Sequence, residues 1–256
     1  MANLEENTMK PFSEELFKSF REILGLKESP LGAYYTNDKP DGITAKEGVH
    51  QCMIGFLQNA RKKGKTVYFD KDHFGCPGGA YWMGLRESVR PNMEFFLSCG
   101  IPGEMEGERY IKTPELARKF ISMQKPKPAP APYCVFKPIE KFQEDEKPQV
   151  VVFFVPPDIL AGLFTLTGYS LESIEAATAP FGSGCSTILN YPLKEAEKEQ
   201  PHAIIGMFDV SARPMVEKEI LTFSMPFSVF LKLLENVQGS FLGTESWKKV
   251  LRRITH

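Results

Sequence analysis

The sequence predicts an α/β or α+β fold in which one mixed β-sheet with flanking helices is built from two related halves of one compact unit. Short apolar runs that suit strands alternate with helix-period patterns along the whole chain. The 256 residues, 42% of them hydrophobic, can fill one large core. A glycine-rich turn that carries a cysteine occurs once in each half, which favours an internal duplication.

The first half, residues 1–124, contains clear helix boundaries. Ser13 is suited to cap a helix whose apolar stripe begins at Leu16. Gly64 follows a basic stretch and is expected to end a helix, and Thr113 precedes proline and glutamate in an N-cap pattern. The elements predicted for this half, in chain order, are a helix from Ser13, a strand over 30–35, a helix over 49–63, a strand over 66–69, a helix over 81–85 and a helix over 113–123.

Residues 125–132 alternate proline with lysine or alanine. Proline lacks a backbone N–H and favours the extended polyproline conformation, so this segment cannot form a regular helix. The sequence therefore predicts a stiff connector here, with the second half at 133–256.

The second half begins with strand-like segments and ends with helical ones. Its run Val150–Val155 is continuously apolar, as expected of a strand that is buried on both faces. The duplication hypothesis matches the turn at 74–76 with the turn at 182–187, and matches 52–57 with 160–164. The elements predicted for this half are strands over 133–136 and 150–155, helices over 158–166 and 170–178, strands over 203–208 and 219–223, and helices over 227–237 and 247–254.

Charge and cysteine usage limit the partners and the compartment. The chain has 31 basic and 32 acidic residues, so no overall field would attract nucleic acid or an anionic membrane. No apolar run approaches the roughly 20 residues of a membrane-spanning helix. The start is acidic and polar, unlike a secretory signal, and five scattered cysteines do not suit a disulfide framework. We therefore expect a soluble protein of the reducing cytoplasm.

The most informative local pattern is a cysteine within a glycine turn. A strand-like segment leads into Gly75-Cys76-Pro77-Gly78-Gly79-Ala80, and a helix is predicted to follow. The free N–H groups at a helix start bind anionic groups. Cys76 is therefore the predicted centre of a functional site.

The cysteine-bearing segments also carry a family resemblance. With Cys52, the turn at 75–80, the Gly184-Cys185 turn and the segment at 211–213, the chain resembles the uncharacterised family called domain of unknown function 169. The resemblance covers roughly residues 13 to 240. That family is bacterial and archaeal, often from anaerobes, and the resemblance implies no established reaction. It strengthens the expectation of a functional role for the cysteines, and for no other residues.

Thiolates bind soft metals and iron–sulfur clusters, so an iron–sulfur cluster is the first cofactor predicted. The three candidate ligands are Cys52, Cys76 and Cys185. The glycines expected to let backbone amides approach the cluster are Gly75, Gly78, Gly79 and Gly184. Cys99 and His73 are candidates for a fourth ligand. Arg213, in a predicted turn, is expected to orient a small anionic ligand because guanidinium groups bind carboxylates and phosphates.

Three other interpretations remain open. Zinc is the alternative metal, with mixed nitrogen and sulfur ligands from His50, Cys52, His73 and Cys76. A second alternative makes Cys76 a reactive thiol, activated by the helix start and by His73. The third is a metal-free small-molecule binding protein whose cysteines mainly pack in the core. Cys134, in an apolar strand, is predicted to be structural. The sequence does not decide whether the protein is an enzyme or serves a redox partner.

Overall fold

The computed structural model describes residues 14–255, with side chains described from 17 to 254. The predicted start of the first helix at Ser13 and the side chain of Leu16 lie outside these residues. In chain order the strands are β1 (Leu31–Thr36), β2 (Ile43–Thr44), β3 (Val67–Phe69), β4 (Gly100–Ile101), β5 (Met105–Glu106), β6 (Tyr133–Pro138), β7 (Val150–Val155), β8 (Ala177–Thr178), β9 (Ala203–Gly206) and β10 (Leu221–Pro226).

Helices connect these strands and cover the sheet. The α-helices are α1 (Glu14–Leu24), α2 (Met53–Phe56), α3 (Gln58–Lys63), α4 (Pro77–Trp82), α5 (Met93–Phe96), α6 (Pro114–Met123), α7 (Pro157–Gly168), α8 (Tyr191–Glu195), α9 (Phe227–Glu235) and α10 (Glu245–Thr255). A π-helix, Ser186–Asn190, runs directly into α8. The cap of α6 is the predicted one, since the Thr113 hydroxyl accepts the Leu116 N–H.

Eight strands form one mixed sheet in the order β2-β3-β6-β1-β7-β10-β9-β8, and β4 and β5 form a separate hairpin. The two outermost pairs, β2–β3 and β8–β9, are parallel. The five inner pairs are antiparallel. The predicted mixed sheet with flanking helices is therefore confirmed.

The two sides of the sheet share one topology. On one side the first, second, third and fourth strands along the chain are β1, β2, β3 and β6; on the other they are β7, β8, β9 and β10. From the outer edge of the sheet inwards, each group places its second strand, then its third, its fourth and its first. The parallel and antiparallel pairs are also the same in both groups. The first strands of the two groups meet as antiparallel neighbours at the centre of the sheet. This topology is compatible with a duplication but does not confirm one.

The shared topology changes the equivalences expected from sequence. Strand β6 groups with β1, β2 and β3, so the connector at 125–132 lies within the first group of strands rather than between the groups. The connector also packs on the protein, because the Ala129 N–H donates to the Gly84 carbonyl over 2.9 Å. Its placement as a boundary between 1–124 and 133–256 stays a prediction.

Three local expectations differ from the structure. The helix predicted over 81–85 begins earlier, at Pro77, and ends at Trp82 as α4. The predicted helix over 170–178 is replaced by turns and β8, where Leu171 and Ile174 are exposed by 38% and 97%. An apolar pair with nothing to pack against cannot stabilise a helical face. The single helix predicted over 49–63 is present as α2 and α3, separated by Leu57.

Strand β7 shows how the sheet separates two cores. All six of its residues are buried, and their side chains alternate between two apolar clusters. Val150, Val152 and Phe154 face the first cluster, which is covered by α2, α3, α4 and the π-helix. The opposite cluster is covered by α1, α7, α9 and α10. The first cluster contains the cysteines of interest.

Candidate functional site

Besides Cys134 of β6, three cysteines from distant parts of the chain belong to or pack against the first apolar cluster. Cys52 directly precedes α2, Cys76 caps α4, and Cys185 directly precedes the π-helix. All three are free thiols. The fold therefore brings together the three residues that the sequence predicts as ligands.

The sheet topology explains why two of these cysteines meet. Cys52 begins the helical segment between β2 and β3, and Cys185 begins the helical segment between β8 and β9. These are the same positions in the two groups of strands, on the same face of the sheet. Cys185 thus corresponds to Cys52 in topology, and the expected match between Cys185 and Cys76 is not the one that the strands show.

Cys76 is held by a turn in which glycine is required. Gly75 has φ +72°, and a Cβ there would lie 2.5 Å from the Gln51 carbonyl oxygen. The Gln51 N–H in turn donates to the Gly75 carbonyl over 3.1 Å, which ties this turn to the segment that carries Cys52. Cys76 then takes an extended conformation, and its Sγ accepts the Gly79 N–H over 3.2 Å.

The surroundings of Cys76 favour its thiolate. The pKa of Cys76 is lowered to about 6, and the largest cause is a hydrogen bond from the Cys185 thiol. Burial opposes this shift, while the backbone N–H groups of Met53 and Gly79 and the charge of His50 lower the pKa further. Met53 and Gly79 lie in the first turns of α2 and α4, so two helix starts direct N–H groups at one sulfur.

The other two thiols are held in the protonated form. Cys185 is 8% exposed, and its pKa is raised well above the usual value by its hydrogen bond to Cys76 and by burial. Burial also raises the pKa of Cys52, against the opposing effect of the Gly55 and Ile54 N–H groups. Among these three cysteines, Cys76 is therefore the one whose pKa favours the thiolate at neutral pH.

Asp209 is a neighbour of the site that the sequence analysis did not identify. Its Oδ2 accepts the Gly184 N–H over 3.0 Å, and its Oδ1 accepts the N–H and the hydroxyl of Ser211. Its charge contributes to the raised pKa of Cys52 and of Cys185. The Asp-x-Ser spacing is the available sequence signal, because aspartate in such a turn binds the N–H two residues on.

The predicted glycines have different surroundings. A Cβ on Gly79 would lie 3.1 Å from both the Cys76 Sγ and the Met53 Cβ, and one on Gly184 would lie 3.2 Å from Ala212 and Met207. A Cβ on Gly78 would meet nothing within 4 Å. Packing does not require glycine there, and the open space lies two residues from the thiolate.

Several predicted residues have other partners. The Arg213 guanidinium donates to the backbone carbonyls of Glu217, Lys218 and Ile220, which fixes that loop; its orientation of an anionic ligand stays a prediction. His73 Nδ1 lies 3.0 Å from Asp70 Oδ1, and His50 is the histidine whose charge acts on Cys76.

The two remaining cysteines differ in burial, and Cys134 belongs to the same apolar cluster. Cys99 is exposed beside the β4–β5 hairpin and does not belong to the apolar cluster. Cys134 is fully buried on β6, as its predicted structural role requires. Burial raises the pKa of Cys134, so this thiol is inert at neutral pH.

No group of three or more His, Cys, Asp and Glu side chains within residues 14–255 is arranged to hold a metal ion. The same part of the chain has no helix that is both long enough and apolar enough to cross a bilayer. Metal binding by Cys52, Cys76 and Cys185 stays a prediction.

Comparison with known proteins gives one match. The family model of domain of unknown function 169, described as Uncharacterised ArCR, matches residues 19–236. No curated protein matches the chain, and no solved structure matches it.

Proposed function

This chain belongs to the uncharacterised family called domain of unknown function 169, and we propose that it acts through a reactive thiolate at Cys76. The observation that carries the proposal is the set of donors around one sulfur. The Cys76 Sγ accepts the Gly79 N–H, and the Cys185 thiol donates to it. The described hydrogen bonds of this sulfur include none from lysine or arginine. Neutral donors thus supply most of the stabilisation of the thiolate, and the charge of His50 adds to it.

Such a thiolate suits nucleophilic chemistry near neutral pH. The thiolate is the nucleophilic form of cysteine, and a pKa of about 6 keeps Cys76 mostly in that form at pH 7. Cys76 is only partly buried, and a Cβ on Gly78, two residues on, would meet nothing within 4 Å, so the proposed direction of substrate approach is past Gly78. The reaction class is attack on an electrophilic sulfur or carbon. A reducing cytoplasm is the proposed compartment, because the site needs free thiols.

Selective alkylation tests this proposal. Reduced protein is treated at pH 7 with limiting iodoacetamide, and the modified cysteines are identified by peptide mass mapping. We expect Cys76 to react faster than the exposed Cys99, although Cys99 is more accessible. Alkylation of Cys99 ahead of Cys76 would contradict the proposal. A Cys76→Ser variant identifies the fast phase, which should disappear.

A bound metal cofactor is the second candidate, supported by the meeting of three cysteines in one cluster. An iron–sulfur cluster fits the sulfur ligands, and the N–H groups around Cys76 and Cys52 are the donors that cluster sulfides attract. Zinc is the alternative, with His50, Cys52, His73 and Cys76 as its candidate ligands. When bound, such a cofactor supplies electron transfer or Lewis acidity, and Cys52, Cys76 and Cys185 would hold it.

Metal analysis separates the two candidates. The protein is purified without oxygen and assayed for iron, acid-labile sulfide and zinc. Near-stoichiometric iron and sulfide that are lost in Cys76→Ser would favour the cluster, and near-stoichiometric zinc would favour the mixed site. Metal-free protein with a fast-reacting Cys76 would favour the thiolate.

A further inference from the structure

We propose that α6 carries a docking surface for an acidic amphipathic helix of a partner protein. The surface, called the α6 patch, consists of the side chains of Leu116, Phe120, Met123 and Phe181. The lysines beside it are Lys112, Lys119 and Lys125. The patch does not include Cys76, so docking there does not depend on the reactive thiolate.

Helix α6 buries little of its apolar surface in the fold. Of its 10 residues only Ala117 is buried. Leu116 and Met123 are exposed by 50% and 64%, and Phe120 is partly buried. A surface helix normally turns its large apolar side chains towards the core and its polar ones outwards. Large apolar side chains that gather on the outside of a helix indicate a face that another molecule covers.

These apolar side chains form a continuous stripe. Leu116, Phe120 and Met123 have the spacing i, i+4, i+7, so they lie along one side of α6. Phe120 contacts Phe181, with ring centroids 5.0 Å apart. Phe181 is 59% exposed, so its ring widens the stripe beside the helix. Apolar residues at this spacing are those on which the apolar face of a second helix packs.

The lysines beside the patch have no acidic partner. Lys119 lies between Leu116 and Met123 on the same side of α6, because the three residues have the spacing i, i+3, i+7. Lys112 precedes the helix and Lys125 follows it. Within residues 17–254, none of these lysines forms an ion pair.

The acidic side chain of α6 is already paired. Glu115 is the only acidic residue of this helix, and its carboxylate lies 3.2 Å from the Arg118 guanidinium, which also contacts Glu94. The unpaired charge around the patch is therefore positive. Unpaired cations beside an apolar stripe select a partner helix with acidic residues, because like charges across such an interface repel. A helix that lies in a bilayer buries a broader apolar face than α6 offers.

The patch also adjoins the loop that leads to Cys185. Phe181 lies three residues before Gly184, whose N–H donates to the Asp209 carboxylate. Phe208, next to Asp209 in the sequence, is exposed as well. A helix docked on the α6 patch would therefore lie beside this loop.

Fluorescence anisotropy with a designed peptide tests the proposal. The probe is a fluorescein-labelled, side-chain-stapled helix of about 14 residues, or about four turns. It has leucines on one face and glutamates beside them, and the control peptide has lysines in place of the glutamates. The wild-type protein should bind the acidic peptide, with an affinity that falls as salt is raised, and should not bind the basic one.

Variants of the chain identify the surface. Lys119→Glu should weaken binding of the acidic peptide about tenfold or more and should allow the basic peptide to bind. The double variant Leu116→Ser, Met123→Ser should abolish binding of the acidic peptide. Lys39→Glu and Ile174→Ser are the matched controls, because both side chains are exposed and lie outside the patch. Both controls should bind as the wild type does, and circular dichroism checks that each variant is folded.

Two results with the peptides would overturn the proposal, namely no binding of the acidic peptide to the wild type, or equal binding to wild type and Lys119→Glu. Two other occupants of the patch would overturn it as well. Sedimentation equilibrium would reveal a second copy of this chain, as a dimer that the double variant dissociates. Flotation with vesicles of phosphatidylglycerol and phosphatidylcholine would reveal a membrane surface, as vesicle binding that the double variant loses.

Discussion

Replacing Cys185 with alanine should raise the pKa of Cys76 without removing the nucleophile. The Cys185 thiol is the largest cause that lowers the pKa of Cys76 to about 6 from the ordinary value of 9.0. The Gly79 and Met53 N–H groups and the charge of His50 remain in the variant, so only part of the shift should be lost. Alanine leaves no polar group buried in place of the thiol.

The size of the effect follows from the strength of one hydrogen bond. A hydrogen bond to a charged group contributes about 1.5–3 kcal/mol, which corresponds to roughly one to two pKa units. The pKa of Cys76 should therefore rise to between about 7 and about 8. At pH 7 the thiolate fraction would fall from about nine-tenths to between about a tenth and about a half.

Ultraviolet absorbance of the thiolate measures this pKa directly as a function of pH. Full profiles are preferable to one alkylation rate, because a thiolate of higher pKa is also intrinsically more nucleophilic. Cys76→Ser identifies the signal of Cys76, and Cys99→Ser is the matched control that should leave its midpoint unchanged. A Cys185→Ala midpoint equal to that of the wild type would refute the role given to the Cys185 thiol.

Three further predictions concern stability. The pKa of Cys76 in the folded protein, about 6, lies below its ordinary value of 9.0. Between these pH values the unfolded chain binds more protons than the folded one. The free energy of unfolding should therefore rise with pH in this range, and the contribution of Cys76 should be lost as the pH falls through 6. Measured by urea unfolding, the free energy of unfolding should rise with pH more steeply in the wild type than in Cys76→Ala, by up to about 1.4 kcal/mol per pH unit. Parallel slopes of the two proteins would contradict this. Gly75→Ala should destabilise the fold more than Gly48→Ala, by about 1–3 kcal/mol in urea unfolding. Both glycines have positive φ, but only at Gly75 would a Cβ lie 2.5 Å from a carbonyl oxygen. Equal losses of stability would show that the turn relaxes. Thr113→Ala should cost about 1 kcal/mol through the lost α6 cap and leave Cys76 alkylation unchanged, and a slower Cys76 would show that α6 supports the site.

Much of the local structure could be predicted from the sequence because its causes are local. The run Val150–Val155 is apolar at every position, and β7 is buried on both faces. Thr113 precedes proline and glutamate, and α6 begins as that pattern predicts. The helix predicted over 170–178 failed because its apolar residues have no surface to pack on, which only the tertiary structure decides.

The candidate residues of the site could be chosen from the sequence, but their arrangement in space could not. Residue type selected Cys52, Cys76 and Cys185 as candidates, and Cys76 and Cys185 also follow a glycine directly. The equivalence of Cys52 and Cys185 depends on pairing between distant strands, which no local pattern contains. The contribution of Asp209 depends on the same long-range packing.

Site-resolved titration of the cysteines is the most direct test of the thiolate at Cys76. Protein labelled with carbon-13 at the cysteine Cβ atoms is titrated by NMR, and each signal is assigned with single serine variants. The Cβ of Cys76 should titrate near pH 6, while the Cβ signals of Cys52 and Cys185 stay in the thiol position through neutral pH. A Cys76 signal that remains in the thiol position up to about pH 9, the range of an ordinary cysteine, would contradict the account.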